Sequence, residues 1–307
     1  MIDKSGYYDI NGKPQYLSIR ADAPGLPLLL YLHGGPGDAA LPLVCKYNAA
    51  LQRKFTVVVW EQRGAGKSYY PFTLDEHLTM QTFLNDIHTI VTYLVGQFGE
   101  EKVYLLGHSW GSALGMKYIQ QHSEMVHTYI GCGQVVDMRQ GAQHQCEYVA
   151  SQSKAQGNTA ILDRLSSIDV AYTQENWLED LLFVTKLVVK YKGSLYGKTN
   201  YNKLVAGFLF SREYNLKDLL NREKGSLQSI QFLWPELMGV TFWDTKRYDV
   251  PVVFIEGRHD HHVSATLAKA YHDTIESSKR FYLLEQSCHF PQWDEPEKFN
   301  EIILSLV

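Results

Sequence analysis

A chain of 307 residues, 45% hydrophobic and 20% charged, has the composition of a globular protein and room for one large domain or one domain with an insertion. Its net charge of −4 supplies no polycationic surface, which argues against nucleic acid as a partner. No apolar run approaches the roughly 20 residues that span a bilayer, and Met1-Ile2-Asp3-Lys4-Ser5-Gly6 lacks the apolar core of a secretion signal, so a cytoplasmic protein without a membrane partner is expected.

The first segment, Tyr7-Tyr8-Asp9-Ile10, Asn11-Gly12, then Gln15 to Arg20, reads as a hairpin, because Asn-Gly accepts the positive φ angles of a tight turn. Apolar runs follow at Pro27–Leu32, Phe55–Trp60, Val103–Leu106, Val126–Gly131, Val250–Ile255 and Arg280–Leu284. Runs that are apolar at consecutive positions suit strands covered on both faces, as in parallel sheets. Helical stretches lie at Leu78–Phe98, Ser112–Gln121, Ser264–Glu276 and Pro296–Leu306. This alternation predicts an α/β fold, a mostly parallel twisted sheet flanked by helices, with the hairpin at its edge. The alternation breaks across residues 137–245, where Trp177, Leu181, Val184 and Val188 recur at helical spacing. That stretch reads as a helical cap inserted into a catalytic domain of residues 1–136 and 246–307. It would roof a pocket at the carboxyl ends of the strands.

The chemistry centres on Gly107-His108-Ser109-Trp110-Gly111-Ser112, a Gly-x-Ser-x-Gly motif directly after an apolar strand. A sharp strand-to-helix turn at serine exposes its hydroxyl, and only small residues fit two positions to either side. Serine is a poor nucleophile until a base takes its proton and an acid orients that base. In this kind of fold the chain order is Ser, Asp or Glu, then His. Asp260 and His289 each follow a predicted strand at the same sheet edge as Ser109, giving Ser109 as nucleophile, Asp260 as acid and His289 as base. Asp137 is the alternative acid, and His259, His261, His262 and His272 compete for the base. His108 is expected to pack away from the site. Trp110 and one of Gly34 and Gly35, in His33-Gly34-Gly35-Pro36-Gly37, would donate the N–H groups of an oxyanion hole.

The four cysteines, Cys45, Cys132, Cys146 and Cys288, have no metal-ligand spacing and read as reduced thiols. The cluster His259-Asp260-His261-His262 lies in one loop, which rarely supplies a whole zinc site, so no metal and no cofactor is expected. Gly64-Ala65-Gly66-Lys67-Ser68 looks like the end of a phosphate-binding loop, but Glu61 stands where that motif needs glycine.

Together the segments His33 to Gly37, Trp60-Glu61-Gln62-Arg63-Gly64-Ala65-Gly66-Lys67-Ser68 and Gly107 to Ser112 resemble the proline iminopeptidase branch of the α/β-hydrolase superfamily. Gly257-x-x-Asp260 and Cys288-His289 match its remaining triad positions. Glu61 replaces the usual aspartate and Cys288 the usual glycine. The resemblance implies an α/β-hydrolase fold and a metal-free aminopeptidase that releases an N-terminal residue, often proline, from short peptides. It also implies cap glutamates that hold the substrate amine, for which Glu147, Glu175, Glu179, Glu213 and Glu236 are the candidates. The rival readings are an esterase, lactonase or amidase of small carboxylic substrates with the same triad, and a non-catalytic ligand-binding protein. A serine at position 109 disfavours relatives that use an aspartate nucleophile.

Overall fold

The computed structural model describes residues 1–307. Its N-terminal strands are β1 (Ile2–Asp3), β2 (Gly6–Ile10) and β3 (Lys13–Ala21). Asn11 and Gly12 turn β2 into β3 with φ of 50° and 74°, and Ile10 faces Lys13 across them. The short strand β1, absent from the sequence reading, pairs Ile2 with Ala21.

Six further strands follow: β4 (Leu28–Leu32), β5 (Thr56–Glu61), β6 (Val103–His108), β7 (Val126–Cys132), β8 (Val252–Gly257) and β9 (Lys279–Leu284). They run parallel in the order β5-β4-β6-β7-β8-β9, and β3 lies antiparallel against β5. Every residue of β4, β5, β6 and β8 is buried, which is why their sequences are apolar without alternation. The alternation is one of destination. Leu28, Leu30 and Leu32 enter the core with Phe83 and Ile87 of the helix Met80–Phe98. Leu29 and Tyr31 enter the core on the other face, with Leu41 and Val44 of the helix Leu41–Tyr47 and Phe299 of the helix Pro296–Leu304.

The helices Met80–Phe98, Trp110–Gln121, Ala265–Thr274 and Pro296–Leu304 occupy the predicted stretches. The second begins at Trp110, two residues earlier than read, because Ser109 itself is its N-cap position. The helix Leu41–Tyr47 was not legible, its 7 residues being too few for a periodic pattern. Between β7 and β8 lie five helices and no strand: Met138–Ala155, Thr159–Ser166, Trp177–Lys190, Asn202–Leu209 and Leu216–Leu237. This insertion leaves and rejoins the sheet at one place. Asp137 bridges Thr241, flanked by bonds from the Met138 N–H to the Val240 carbonyl (3.1 Å) and from the Phe242 N–H to the Val136 carbonyl (3.0 Å).

A buried ion pair fastens the hairpin, the loop after β5 and the helix Met80–Phe98 together. Arg63 Nε and Nη2 each donate to the Asp86 carboxylate at 2.8 Å, and Asn11 (2.8 Å) and Gln15 (2.9 Å) donate to the same oxygens. Gln15 in turn accepts from Trp60 Nε1 at 2.8 Å. The Arg63 and Asp86 side chains are only 6% and 0% exposed, so removing one strands the other's charge in the core. Asp86→Ala is therefore expected to lower unfolding free energy by about 3–5 kcal/mol, read as a reduced urea midpoint with an unchanged slope.

Candidate active site

The sequence builds the site around an elbow. Ser109 has φ 54° and ψ −119°, a left-handed conformation that a non-glycine residue holds only under strain. The turn is so tight that a Cβ on Gly107 would stand 2.3 Å from the Gly111 carbonyl oxygen, and one on Gly111 would stand 2.1 Å from that of Leu32. Glycine at these two positions is a steric demand of the turn. Ser109 lies 9% exposed at the head of its helix, opening into a cavity.

Asp260 and His289 meet from the loops after β8 and β9. His289 Nδ1 donates to Asp260 Oδ2 at 2.9 Å, and Asp260 Oδ1 accepts the backbone N–H groups of His262 (2.8 Å) and Val263 (2.9 Å). Burial drives the His289 imidazole down to about 3, so it rests neutral. Burial also raises Asp260 to about 7, opposed by His262 and by the two backbone donors. Ser109 and His289 line the same cavity, although no hydrogen bond joins them in this arrangement. Asp137, the alternative acid, instead caps the helix Met138–Ala155 by accepting from the Gln140 N–H at 2.8 Å.

The competing histidines separate. His272 packs between Phe254 and Phe281, His259 is exposed, and His261 stacks on Tyr148 at 3.8 Å. His262 lies in the site itself, its ring stacked on His289 with centroids 4.6 Å apart and its Nδ1 2.9 Å from Ser194 Oγ. His108 does not pack away from the site as expected. Its Nε2 donates to the His289 carbonyl at 2.9 Å and its ring lines the cavity. The Ser194 carbonyl, from the insertion, accepts the His289 N–H at 3.0 Å, a support that no motif announced.

The oxyanion-hole candidates are tied together by Gln62. Its Oε1 accepts from Trp110 Nε1 at 2.9 Å, its Nε2 donates to the His33 carbonyl at 2.8 Å, and its backbone N–H donates to His33 Nε2 at 3.0 Å. His33 Nδ1 donates to the Gly34 carbonyl at 2.8 Å. Burial lowers His33 to about 4, which keeps Nε2 unprotonated and able to accept. The backbone N–H of Trp110 heads a helix and has no intrahelical acceptor, and those of Gly34 and Gly35 also bond to nothing in the fold. Gly35, at φ 134°, takes a conformation closed to other residues. Glu61 ends β5 fully buried, where burial raises it to about 7. It accepts from the Tyr214 hydroxyl of the insertion and from the Lys67 N–H (3.0 Å).

The cavity has two lobes that share Ser109, Gly35, Thr185 and His262. One, about 160 Å³, is mostly apolar, walled by Val136, Leu181, Ile230, Trp234 and Leu237, with Asp137 as its carboxylate. The other, about 240 Å³, holds His289, His108, Asp38 and Arg222. None of the five candidate glutamates lines either lobe. Glu147 accepts from Gln143 on an exposed face, Glu175 is exposed, Glu179 pairs with Arg164, Glu213 with Arg20, and Glu236 accepts the Met80 N–H. Each faces solvent or a fixed donor, a choice of helix face that residue type alone does not reveal.

A parallel sheet with a strained serine elbow at its carboxyl edge and an acid–histidine pair beside it defines an α/β hydrolase. The family model described as the alpha/beta hydrolase fold matches residues 27–296, and the chain belongs to that family, in its proline iminopeptidase-like branch. It is 30% identical over 292 residues, covering 94% of this chain and 92% of the other, to the Bacillus subtilis (strain 168) protein named "Probable aminopeptidase YbaC". It is 24% identical over 300 residues, covering 91% and 84%, to a proline iminopeptidase of Saccharolobus solfataricus. The solved structure of a proline iminopeptidase-related protein from Thermus thermophilus superposes with a TM-score of 0.68 at 17% identity, over 99% of this chain and 96% of that one. The protein is a hydrolase.

Gln62→Met keeps the volume and removes both side-chain bonds, leaving the His33 carbonyl and Trp110 Nε1 buried and unpaired. With the two candidate oxyanion-hole segments no longer held in register, kcat should fall by about 10²-fold, comparable to loss of one donor. Steady-state kinetics alongside a melting curve checks that the loss exceeds any loss of folded protein.

Proposed function

We propose that the protein is a serine hydrolase working through an acyl-enzyme, and that it is an aminopeptidase of the proline iminopeptidase type acting on short peptides. The observation that carries the mechanism is the 2.9 Å bond from His289 Nδ1 to Asp260, made at the wall of the cavity into which Ser109 opens. In this reading Ser109 Oγ attacks the carbonyl carbon of the substrate's N-terminal residue, and its proton passes to His289 Nε2. Asp260 holds the ring and stabilises the imidazolium, while the N–H groups of Trp110 and of Gly35 or Gly34 receive the oxyanion. The C–N bond then breaks and the amine departs with the proton from His289. Water attacks the ester, giving its proton to His289, and Ser109 takes that proton back as the acid leaves.

The names of the relatives support the peptidase choice. The helical insertion serves as a cap, contributing Leu181, Thr185 and Trp234 to the cavity wall. With the five glutamates directed elsewhere, Asp137 takes the amine-binding role in this proposal. It is the carboxylate of the apolar lobe, and only its Oδ1 is committed to the helix cap. A charged amine buried there without a partner would be costly.

A prolyl arylamide with a free amine and its acetylated twin test the reading, with Ser109→Ala as the blank. Preferential cleavage of the free amine is expected. Equal turnover, or turnover of the blocked form alone, would replace it with an esterase or amidase. A pH profile tests the base. As pH falls, the Asp260–His289 pair takes up its first proton at about 7, the raised value of Asp260, and the base is then lost. kcat/KM should therefore fall tenfold per unit below that pH, and should fall again on the alkaline side where the substrate's amine, which Asp137 binds in its charged form, loses its proton at about 8. Asp260→Asn should remove the acid limb and lower kcat by about 10⁴-fold.

A further inference from the structure

The two lobes have different places in the reaction. His289 lines only the lobe that holds Asp38 and Arg222. The base that takes the serine proton must hand it to the leaving atom, so the leaving group lies in His289's lobe and the acyl group in the apolar one.

The leaving-group lobe is apolar along Leu204, Phe208, Phe290 and Trp293, and Arg222 is its one permanent cation. Burial keeps the rings of His108, His262 and His289 neutral there, which leaves Asp38 and Arg222 as the facing charges. Arg222 Nε is 2.6 Å from Asp38 Oδ1, and its guanidinium carbon lies 4.2 Å from the centre of the Phe208 ring. The contact is one of charge without hydrogen-bond geometry, so Nε has no hydrogen-bond partner in the fold, and the terminal nitrogens donate to no protein group either. The placement is rigid. Arg222 is on the helix Leu216–Leu237, whose Gly225 carbonyl comes within 2.3 Å of where a Cβ on Gly37 would stand. Asp38 directly follows that glycine in the oxyanion loop. A planar cation with spare paired donors, set in an apolar wall beside the leaving group, suits a carboxylate.

We infer that Arg222 forms a carboxylate-binding subsite for the leaving group, and that the substrate is a peptide short enough to place its C-terminal carboxylate there, a dipeptide above all. The inference rests on the aminopeptidase reading. The N-terminal residue occupies the apolar lobe, its carbonyl faces Ser109, and the second residue lies along the Phe208 and Phe290 wall with its carboxylate on Arg222.

The test compares kcat/KM for prolyl-leucine and for prolyl-leucinamide, which differ only at that carboxylate. The acid should be preferred by about 10- to 100-fold, the range of a charge-assisted hydrogen bond. Arg222→Met should bring the ratio close to one, and Arg222→Lys should retain part of it. Asp38→Asn keeps the cation and should hold or raise the ratio, whereas a purely structural ion pair would lose it in both variants. Equal rates in the unmodified enzyme, or a preference that survives Arg222→Met, would overturn the inference. Should the prolyl arylamide not be cleaved, the aminopeptidase reading falls separately. Inhibition of p-nitrophenyl acetate hydrolysis by isocaproate and by isocaproamide then decides the subsite. Tighter inhibition by the acid, lost in Arg222→Met, upholds it, and equal inhibition overturns it.

Discussion

The buried amide of Gln62 is the constraint on which the candidate site depends. An oxyanion hole needs two backbone N–H groups from distant parts of the chain held at one point. In the proposed mechanism they come from the loop after β4 and the helix after β6, and the side chain of Gln62, after β5, bonds to both segments. With no water to exchange into, each bond is costly to break. The neutral state of His33 belongs to the same arrangement, because a protonated ring could not accept the Gln62 N–H. Arg63, one residue on, is anchored by Asp86, so this loop is held from both sides.

The strain at Ser109 has a counterpart in that rigidity. A serine at φ 54° persists only where its surroundings over-determine the backbone. Close packing at Gly107 and Gly111 does this from below, and the bond from the Ser109 N–H to the Cys132 carbonyl (3.0 Å) holds it from the neighbouring strand. His289 is held comparably, by Asp260 through its ring and by His108 and Ser194 through its backbone. The contribution of Ser194 means that the helical segment between β7 and β8 supports His289 as well as walling the cavity.

Much of the fold was legible because burial on both faces of a parallel sheet leaves continuous apolar runs in the sequence. The runs at Pro27–Leu32, Phe55–Trp60 and Arg280–Leu284 became β4, β5 and β9 to within one residue at each end, and Val250–Ile255 became β8 two residues further on. The strand Ile2–Asp3 and the helix Leu41–Tyr47 were not legible, since two and seven residues carry too little pattern. In the candidate site, the strained elbow at Ser109 and the contact of Asp260 with His289 lie at positions legible in the sequence, because a tight turn and the ends of strands constrain residue type locally. The five glutamates were misdirected, because nothing local to a carboxylate says whether its helix face meets a cavity, an arginine or solvent.

By itself the sequence determined the strand order along the chain, the helical character of the stretch between β7 and β8, and the elbow. These rest on interactions among near neighbours: turn geometry, side-chain periodicity and the steric demand for glycine. The tertiary structure alone decided that Gln62 joins three motifs, that His108 and His262 flank His289, and that Asp137 and Arg222 face opposite lobes around Ser109. Each is a meeting of groups far apart in the chain. Their positions follow from how the sheet and the insertion pack, and packing depends on all the covering residues at once.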